Sequence, residues 1–355
     1  MKKLFKVLVC LVLTLAVCVT LTACTKEKTL KLGMGVEVNL NSTKETTVQI
    51  DATVAAVVLD KDGKIVTCRI DAVQNKATLA EGVYTVTNLK TKMELGDDYG
   101  MAKWGQNQDA NGDGIVKEWY YQAKAFENYV VGMTAEDVKN IKTAANSHGY
   151  QMATDEALLN AGCTIQITDF IAAVYKACTD EQGQSFTTAS DAFVLGVAAT
   201  SFVDASSANA TAATEEAEAA EGLVNLYSDF AATVVDGDKI IACLNDAIQP
   251  KVIINTTGVV EAKFVNTKRC LKEDYNMSKY GADNNGDGVV KEWYIQSAEF
   301  SKYVIGMTAA EVSALKTQTV NAHEISTDET LLNAGCTMQI TDIKAVVAKA
   351  VANAR

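Results

Sequence analysis

The sequence predicts an α+β protein in which one domain design occurs twice. Three observations support this prediction. Alternating apolar segments typical of strands open each half, and amphipathic helical segments close each half. Residues 154–169 also recur as residues 327–342, with 14 of 16 positions identical. A spacing of about 174 residues is too long for a solenoid repeat, so we expect tandem duplication of a whole domain.

The length and charge of the chain bound its class. It has 355 residues, of which 48% are hydrophobic and 21% are charged, which is typical of a globular protein with about two domains. The formal net charge is −12. An acidic surface repels phosphates, so we expect no nucleic-acid partner.

The first 23 residues have the pattern of a signal peptide. Three lysines precede an apolar run over residues 8–19, and the sequence Leu-Thr-Ala-Cys follows it at residues 21–24. This sequence resembles the lipobox of bacterial lipoproteins, in which the cysteine, here Cys24, becomes the lipidated first residue. An ordinary secretory signal with an incidental cysteine is the alternative. Acyl chains on Cys24 would anchor residues 24–29 as a tether on the extracellular face of the cell membrane.

Domain 1 is predicted over residues 30–180. Gly63 supplies the positive φ that a hairpin turn needs between two of its strands. The predicted strands cover residues 30–40, 53–59, 64–71 and 83–89. A helix is predicted from about Val116 and a last helix from about Asp169, with Thr134 as the N-cap of a helix between them.

Domain 2 is predicted over residues 192–355 with the same order of elements. Its hairpin arms are expected at residues 230–235 and 239–244, and Thr308 is expected to open a capping box. An insert rich in Ala, Thr and Glu at residues 205–222 is expected to be a flexible loop or a short surface helix.

Each copy of the repeated segment contains the turn Asn-Ala-Gly-Cys-Thr. The glycine lets another molecule approach the backbone closely, and a threonine hydroxyl follows two residues later. A plain turn before a helix is the alternative interpretation. The candidate cofactor-binding residues of the two turns are Gly162, Cys163 and Thr164, and Gly335, Cys336 and Thr337.

In these turns, and in the repeated segment Glu-Trp-Tyr-x-Gln, the chain resembles the FMN-binding domains of extracytoplasmic flavoproteins. That family includes two-domain electron-transfer lipoproteins of Gram-positive bacteria and flavin subunits of sodium-pumping NADH:quinone reductases. A flavin transferase attaches FMN to a threonine of its Asp-x-x-(Ser/Thr)-Gly-Ala-(Ser/Thr) motif. The glycine and the acceptor threonine match here, while Leu158 and Ala161 replace the family's aspartate and first Ser/Thr. The resemblance implies two covalent FMN groups per chain, on Thr164 and Thr337.

The resemblance also implies an electron carrier rather than an enzyme with its own substrate. Electrons would pass from a membrane NADH dehydrogenase or the quinol pool to extracellular acceptors. The cofactor supplies the redox chemistry, and the protein supplies position and electrostatics. A phosphoester on Thr164 is expected near the N-terminus of the following helix, where free N–H groups favour phosphate.

Four further residues are candidates for flavin contacts. Lys103 and Lys279 can pair with the phosphate or with the negative charge of the reduced ring. Tyr99 and Tyr275 can stack on the ring. Exposed lysines and core aromatic residues are the alternative interpretation.

Two Asp-rich loops have oxygen ligands at positions 1, 3 and 5 and glycine at position 6, as in an EF-type calcium loop. The glutamate expected at position 12 is a tyrosine in both, which favours an Asx-rich turn over a Ca²⁺ site. A calcium-stabilised surface binding or adhesion module without a redox cofactor is therefore the alternative function. The candidate metal ligands are Asp109, Asn111 and Asp113, and Asp283, Asn285 and Asp287.

The cysteines after the signal also repeat. Cys68 and Cys163 in the first half match Cys243 and Cys336 in the second. An exported protein can form disulfides from such pairs, and buried thiols are the alternative. The sequence leaves both open.

Overall fold

The computed structural model describes residues 27–104 and 115–355 and shows an α+β protein. It contains two five-stranded antiparallel sheets and two small two-stranded sheets. The predicted signal peptide, the lipidation site Cys24 and the candidate metal ligands Asp109, Asn111 and Asp113 lie outside the described residues.

The first half contains seven strands and six α-helices within the described ranges. A 3-10 turn at Gly96–Tyr99 separates its first two helices. The strands are β1 (Lys28–Asn39), β2 (Thr47–Leu59), β3 (Ile65–Ala80), β4 (Val83–Asn88), β5 (Thr143–Ala145), β6 (Gln151–Ala153) and β7 (Gln184–Thr188). The helices are α1 (Lys92–Leu95), α2 (Met101–Trp104), α3 (Trp119–Tyr129), α4 (Ala135–Lys139), α5 (Glu156–Asn160) and α6 (Thr168–Cys178).

The second half follows the same order, with a 3-10 turn at Lys272–Tyr275. Its strands are β8 (Val194–Val203), β9 (Gly222–Asp236), β10 (Lys239–Ile248), β11 (Lys251–Asn255), β12 (Gly258–Lys263), β13 (Thr317–Val320) and β14 (His323–Ser326). Its helices are α7 (Lys268–Leu271), α8 (Met277–Tyr280), α9 (Trp293–Tyr303), α10 (Ala309–Ser313), α11 (Glu329–Asn333) and α12 (Thr341–Ala352).

The two sheets are built on the same antiparallel hairpin. The first has the strand order β4-β3-β2-β1-β7. In the second, β9 pairs with β8 on one side and with β10 and then β11 on the other, and β12 completes the edge. The single strand β3 thus corresponds to two strands, β10 and β11, interrupted at Gln249 and Pro250. Proline has no N–H to donate to the ladder, which accounts for the break.

The apolar faces of the two sheets pack against each other. Leu32 and Val54 of the first half and Leu195 and Phe230 of the second belong to one buried cluster. Helices α3 and α6 cover the outer face of the first sheet, and α9 and α12 cover that of the second. The order of layers is therefore helix, sheet, sheet, helix, and the halves share a central core.

A glycine in the first strand of each half lets the last helix lie directly on the sheet. A Cβ atom at Gly33 would be 2.0 Å from the carbonyl oxygen of Ala177 in α6. At Gly196 it would be 1.9 Å from the carbonyl oxygen of Ala350 in α12. No side chain fits in these gaps, so both positions require glycine.

Two local predictions about helix ends are tested directly. Helix α3 begins at Trp119 rather than near Val116, because Glu118 is extended, with φ −59° and ψ 155°. Thr134 and Thr308 cap their helices as predicted, and both form complete capping boxes.

The insert at residues 205–222 forms a loop, one of the two predicted alternatives, and contains no helix. One isolated β-bridge joins Thr211 to Ala220 within it, another joins Ala208 to Leu223 of β9, and the side chain of Ala210 is buried in the central core. The Ala210 N–H donates to the carbonyl of Gly82 in the first half at 2.9 Å. The N–H of Val259 in β12 likewise donates to the carbonyl of Glu45 at 3.1 Å, so two segments of the second half bind turns of the first half.

Buried ion pairs also join the halves. Arg269 of α7 contacts both carboxylate oxygens of Asp180 at 3.0 Å, and both side chains are buried. The carboxylate of Glu127 in α3 lies 3.6 Å from the guanidinium of Arg69 and 3.6 Å from that of Arg355. Arg355 belongs to the second half, so this contact also joins the halves.

Candidate functional site

In the first half, one buried glutamine fixes the Gly-Cys-Thr turn. Gln122 of α3 accepts a hydrogen bond from the N–H of Thr164 at 2.8 Å and one from its hydroxyl at 3.4 Å. Its Nε2 donates to the carbonyl of Lys117 at 2.6 Å. The Lys117 ammonium in turn donates to the carbonyl of Ala161 at 3.2 Å. Because Gln122 is the last residue of the Glu-Trp-Tyr-x-Gln segment, the two repeated motifs form one structure.

The second half repeats this arrangement. The fully buried Gln296 of α9 accepts hydrogen bonds from the N–H groups of Thr337 and Met338, both at 2.8 Å. It donates to the carbonyl of Lys291 at 2.7 Å, and the Lys291 ammonium donates to the carbonyl of Ala334 at 2.8 Å. A cation therefore lies against each of the two turns.

The glycines of the two turns have a left-handed backbone conformation. Gly162 has φ +92° and Gly335 has φ +87°, a region that side chains rarely allow. The lysine packs over the glycine α-carbon: a Cβ atom would lie 2.4 Å from the Lys117 ammonium and 2.5 Å from that of Lys291.

The lysines at the turns are therefore Lys117 and Lys291, which sequence reasoning missed. Lys279 lies on α8 with its ammonium 4.9 Å from the ring centroid of Tyr280, and both side chains are exposed. Lys103 has the equivalent position on α2 and is also exposed. The available signal was the fixed spacing of five residues between each turn-contacting lysine and its glutamine, in both halves.

The cysteines of the turns face the protein interior. Cys163 and Cys336 are fully buried in the two helix–sheet cores. Burial raises the pKa of each thiol to about 12, so both are neutral and inert at ordinary pH. Cys68 and Cys243 are also free, and the described residues contain no disulfide.

The two candidate acceptor threonines are buried. Thr164 is 1% exposed and Thr337 is 3% exposed. In the second half, Asn284 of the Asp-rich loop donates from Nδ2 to the carbonyl of Thr337 at 2.9 Å. The Asp-rich loop is therefore attached to the Gly-Cys-Thr turn.

That loop is folded as an Asx-rich turn. The carboxylate of Asp283 accepts hydrogen bonds from the N–H groups of Gly286 at 2.8 Å and Gly288 at 2.9 Å. Asn285 donates to Asp287 at 2.9 Å. Within the described ranges, no group of three or more His, Cys, Asp or Glu side chains is placed to hold a metal ion. Calcium binding stays a prediction that needs a titration.

The glutamates nearest the Asp-rich loops have other partners. Glu292 accepts hydrogen bonds from the N–H groups of Met277 at 2.9 Å and Ser278 at 3.1 Å, at the start of α8. Glu118 makes the same two bonds at the start of α2, at 2.8 and 3.0 Å. These bonds explain why Glu118 is outside α3.

A groove of about 510 Å³ opens beside Thr337. Met338, the next residue, lies in its wall, as does Asn284, which binds the Thr337 carbonyl. Aromatic and cationic side chains complete the lining: Lys251, Phe264, Tyr275, Tyr280 and His323. The predicted contact residue Tyr275 therefore lies beside the second turn.

A smaller cavity of about 250 Å³ adjoins the groove and shares Tyr275, His323 and Met338 with it. Lys268, the first residue of α7, is 4% exposed and donates from its ammonium to the Tyr227 hydroxyl at 2.7 Å. The ammonium also lies 4.5 Å from the ring centroids of Tyr227 and Tyr275 and 5.3 Å from that of Trp293.

The same cavity is lined by a buried carboxylate. Asp229 of β9 is 1% exposed, and within the described residues its Oδ2 has no hydrogen-bond partner. Burial raises the pKa of Asp229, and burial lowers the pKa of Lys268, although each charge favours the other. Sequence reasoning identified neither residue.

In the first half, Lys92 occupies the position of Lys268. Its ammonium lies 4.9 Å from the ring centroid of Tyr99 and 5.5 Å from that of Trp119, and its side chain is only half-buried. Tyr99 thus contacts a cation, as Tyr275 does.

Comparisons with protein-family models, curated proteins and solved structures find no match to this chain. Among the described residues, no helix is long and apolar enough to cross a membrane.

Proposed function

We propose that this chain is a lipid-anchored extracytoplasmic electron carrier with one FMN in each half, attached by phosphoester to Thr164 and Thr337. One observation supports this most strongly. The same hydrogen-bonded turn, with a threonine, a glycine at positive φ and a lysine, occurs in both halves. Tandem duplication of an FMN-binding domain, which the family resemblance implies, accounts for that repetition.

The residues beside the second turn suit a flat aromatic ligand with a phosphate. The groove volume is within the roughly 300–1,000 Å³ that is usual for cofactor sites. Tyr275 and Tyr280 offer ring faces for stacking, and Lys251 and Lys291 offer cations for a phosphate. FMN, when bound, supplies the electron-transfer chemistry.

The chain's own residues then position the attachment point. Gln296 fixes the backbone of Thr337 and Met338, so the backbone position of the acceptor threonine is set before any ligand binds. Lys291 keeps a positive charge against the turn. Because Thr337 is buried under a loop that includes Asn284, attachment requires that loop to move, or modification before it closes.

The proposed partners follow from the proposed location. A flavin transferase would load the threonines, and acyl chains on Cys24 would keep the protein at the membrane surface. A membrane NADH dehydrogenase or the quinol pool would donate electrons, and extracellular acceptors would receive them.

The test is the intact mass of natively exported protein, or of protein coexpressed with a flavin transferase. We expect two FMN additions in the parent and one in each of Thr164→Ala and Thr337→Ala. Thr168→Ala and Thr341→Ala, four residues further along, are matched controls and should keep both. Colourless protein at the apoprotein mass would overturn the proposal.

The alternative, a calcium-stabilised surface module, predicts a different result. Such a protein would show no flavin absorption, and added Ca²⁺ would raise its melting temperature. The hydrogen bonds that Asp283 already makes to Gly286 and Gly288 lead us to expect no such rise.

A further inference from the structure

We propose that Asp229 and Lys268 form a proton-exchanging pair beside the redox group of the second half, and that the first half lacks this pair because Thr53 stands at the position of Asp229. The two halves would then differ in the number of protons that accompany their electrons. This inference depends on the proposed function, because it assigns a role to residues beside the proposed FMN.

The geometry places the pair next to the groove but away from bulk water. Lys268 is enclosed by the rings of Tyr227, Tyr275 and Trp293, and Tyr275 also lines the groove. Asp229 lines the inner cavity with a carboxylate oxygen that is unpartnered among the described residues. An unpartnered buried carboxylate is costly in its charged form, and binding a proton removes that charge.

Other titratable groups face the pair from every neighbouring element. Asp342 raises the proton affinity of Asp229, as does Asp246, which already accepts two backbone hydrogen bonds. The full set is Asp204 after β8, Tyr227 on β9, Asp246 on β10, Lys251 on β11, Tyr275 in the 3-10 turn, His323 on β14 and Asp342 on α12. Most of these groups are acidic. A further negative charge nearby, such as that of a reduced ring, adds to their repulsion of the Asp229 carboxylate and so favours uptake of a proton by the pair.

The first half differs at the position of the carboxylate. Val57 of β2 pairs with Cys68, and Thr233 of β9 pairs with the equivalent Cys243. Four residues before Val57 is Thr53, and four residues before Thr233 is Asp229, so Thr53 has the position of Asp229. A threonine hydroxyl does not titrate in this pH range, so the counterpart of Asp229 is missing there. The carboxylate that interacts electrostatically with Lys92 is instead Asp169, the counterpart of Asp342, and burial raises its pKa.

The proposed step balances as follows. A quinol releases two electrons and two protons as it becomes a quinone. A flavin bound beside each turn would accept both electrons and one proton and would carry one negative charge. In the second half the other proton is bound by the Asp229–Lys268 pair, and in the first half it is released to water.

The experiment measures reduction potential against pH in proteins with a single flavin. Thr164→Ala retains the second flavin and Thr337→Ala retains the first. One proton per two electrons gives a slope of about 30 mV per pH unit, and two protons give about 59 mV. From about pH 6 to about pH 9 we expect about 30 mV in the first half and a steeper slope, toward 59 mV, in the second.

Variants identify the groups responsible. In the Thr164→Ala protein, Asp229→Thr, which copies the first half, and Asp229→Asn should both return the slope to about 30 mV per pH unit. Asp238→Asn, an exposed aspartate in the β9–β10 turn, should leave it steep. Should the Asp229 variants not fold, Lys268→Met carries the same expectation.

Equal slopes in the two halves, or a slope that Asp229→Asn and Lys268→Met leave unchanged, would overturn the inference. Mass and absorbance are measured first. Absence of flavin there refutes the proposed function, whereas bound flavin with equal slopes refutes only the proton-exchanging pair.

Discussion

Replacing Gln296 with methionine is expected to destabilise the second half at the Gly-Cys-Thr turn. Methionine has nearly the same length and volume, so no large cavity forms. The substitution removes the acceptor for the N–H groups of Thr337 and Met338 and the donor to the carbonyl of Lys291. The side chain of Gln296 is completely buried, so water does not replace these partners.

The magnitude follows from the number of groups left without partners. Each hydrogen bond contributes about 1 kcal/mol net, and each orphaned buried group costs about 1–3 kcal/mol. For two N–H groups and one carbonyl we expect a loss of about 4 kcal/mol in the free energy of unfolding. Gln122→Met should cost less, since Gln122 accepts from only one backbone N–H, that of Thr164.

Urea unfolding followed by circular dichroism gives these free energies. Gln318→Met, at an exposed position on β13, is the matched control and should change stability by about 0.5 kcal/mol or less. A loss below about 1 kcal/mol for Gln296→Met would refute the claim that this glutamine holds the turn. In flavin-loaded protein, the same variant should reduce occupancy at Thr337 alone.

Three further predictions concern the rest of the fold, all measured by urea unfolding. Gly196→Ala should lower the free energy of unfolding by about 2–3 kcal/mol, because its Cβ would lie 1.9 Å from the carbonyl oxygen of Ala350. A variant as stable as the parent protein would contradict this close approach. Arg269→Ala should lower the free energy of unfolding by about 3–5 kcal/mol, because Asp180 stays buried without its cation. A decrease below about 1 kcal/mol would indicate that water reaches the Asp180 carboxylate. Burial raises the pKa of Asp71 to about 6, so the unfolded chain loses this proton at lower pH than the folded protein does. The free energy of unfolding should therefore fall by roughly 2 kcal/mol as pH rises from about 4 to about 6, and Asp71→Asn should remove that decrease; an unchanged pH profile would refute it.

Local patterns were sufficient to predict several elements of the fold. The alternating segments became β1 and β2, and Thr134 and Thr308 cap their helices as predicted. Gly63 has the positive φ predicted for its hairpin turn. These features depend on interactions between residues close together in the chain, so their residue types are enough to specify them.

Contacts between distant segments could not be predicted in this way. Lys103 and Lys279 were the lysines predicted to contact the flavin, but the lysines that lie against the two turns are Lys117 and Lys291, which come just before α3 and α9. The shared core was likewise not evident, because an alternating strand shows that one face is buried but not what covers it.

The repeat, the α+β class and the positions of the two threonines can be derived from residue order alone, because they depend on composition and short-range geometry. The burial of those threonines, the groove beside Thr337 and the location of Asp229 and Lys268 in the wall of one cavity were decided by tertiary structure. The physical reason is that burial and electrostatic environment depend on which distant elements pack together, and that choice is made only when the two sheets and their helices assemble.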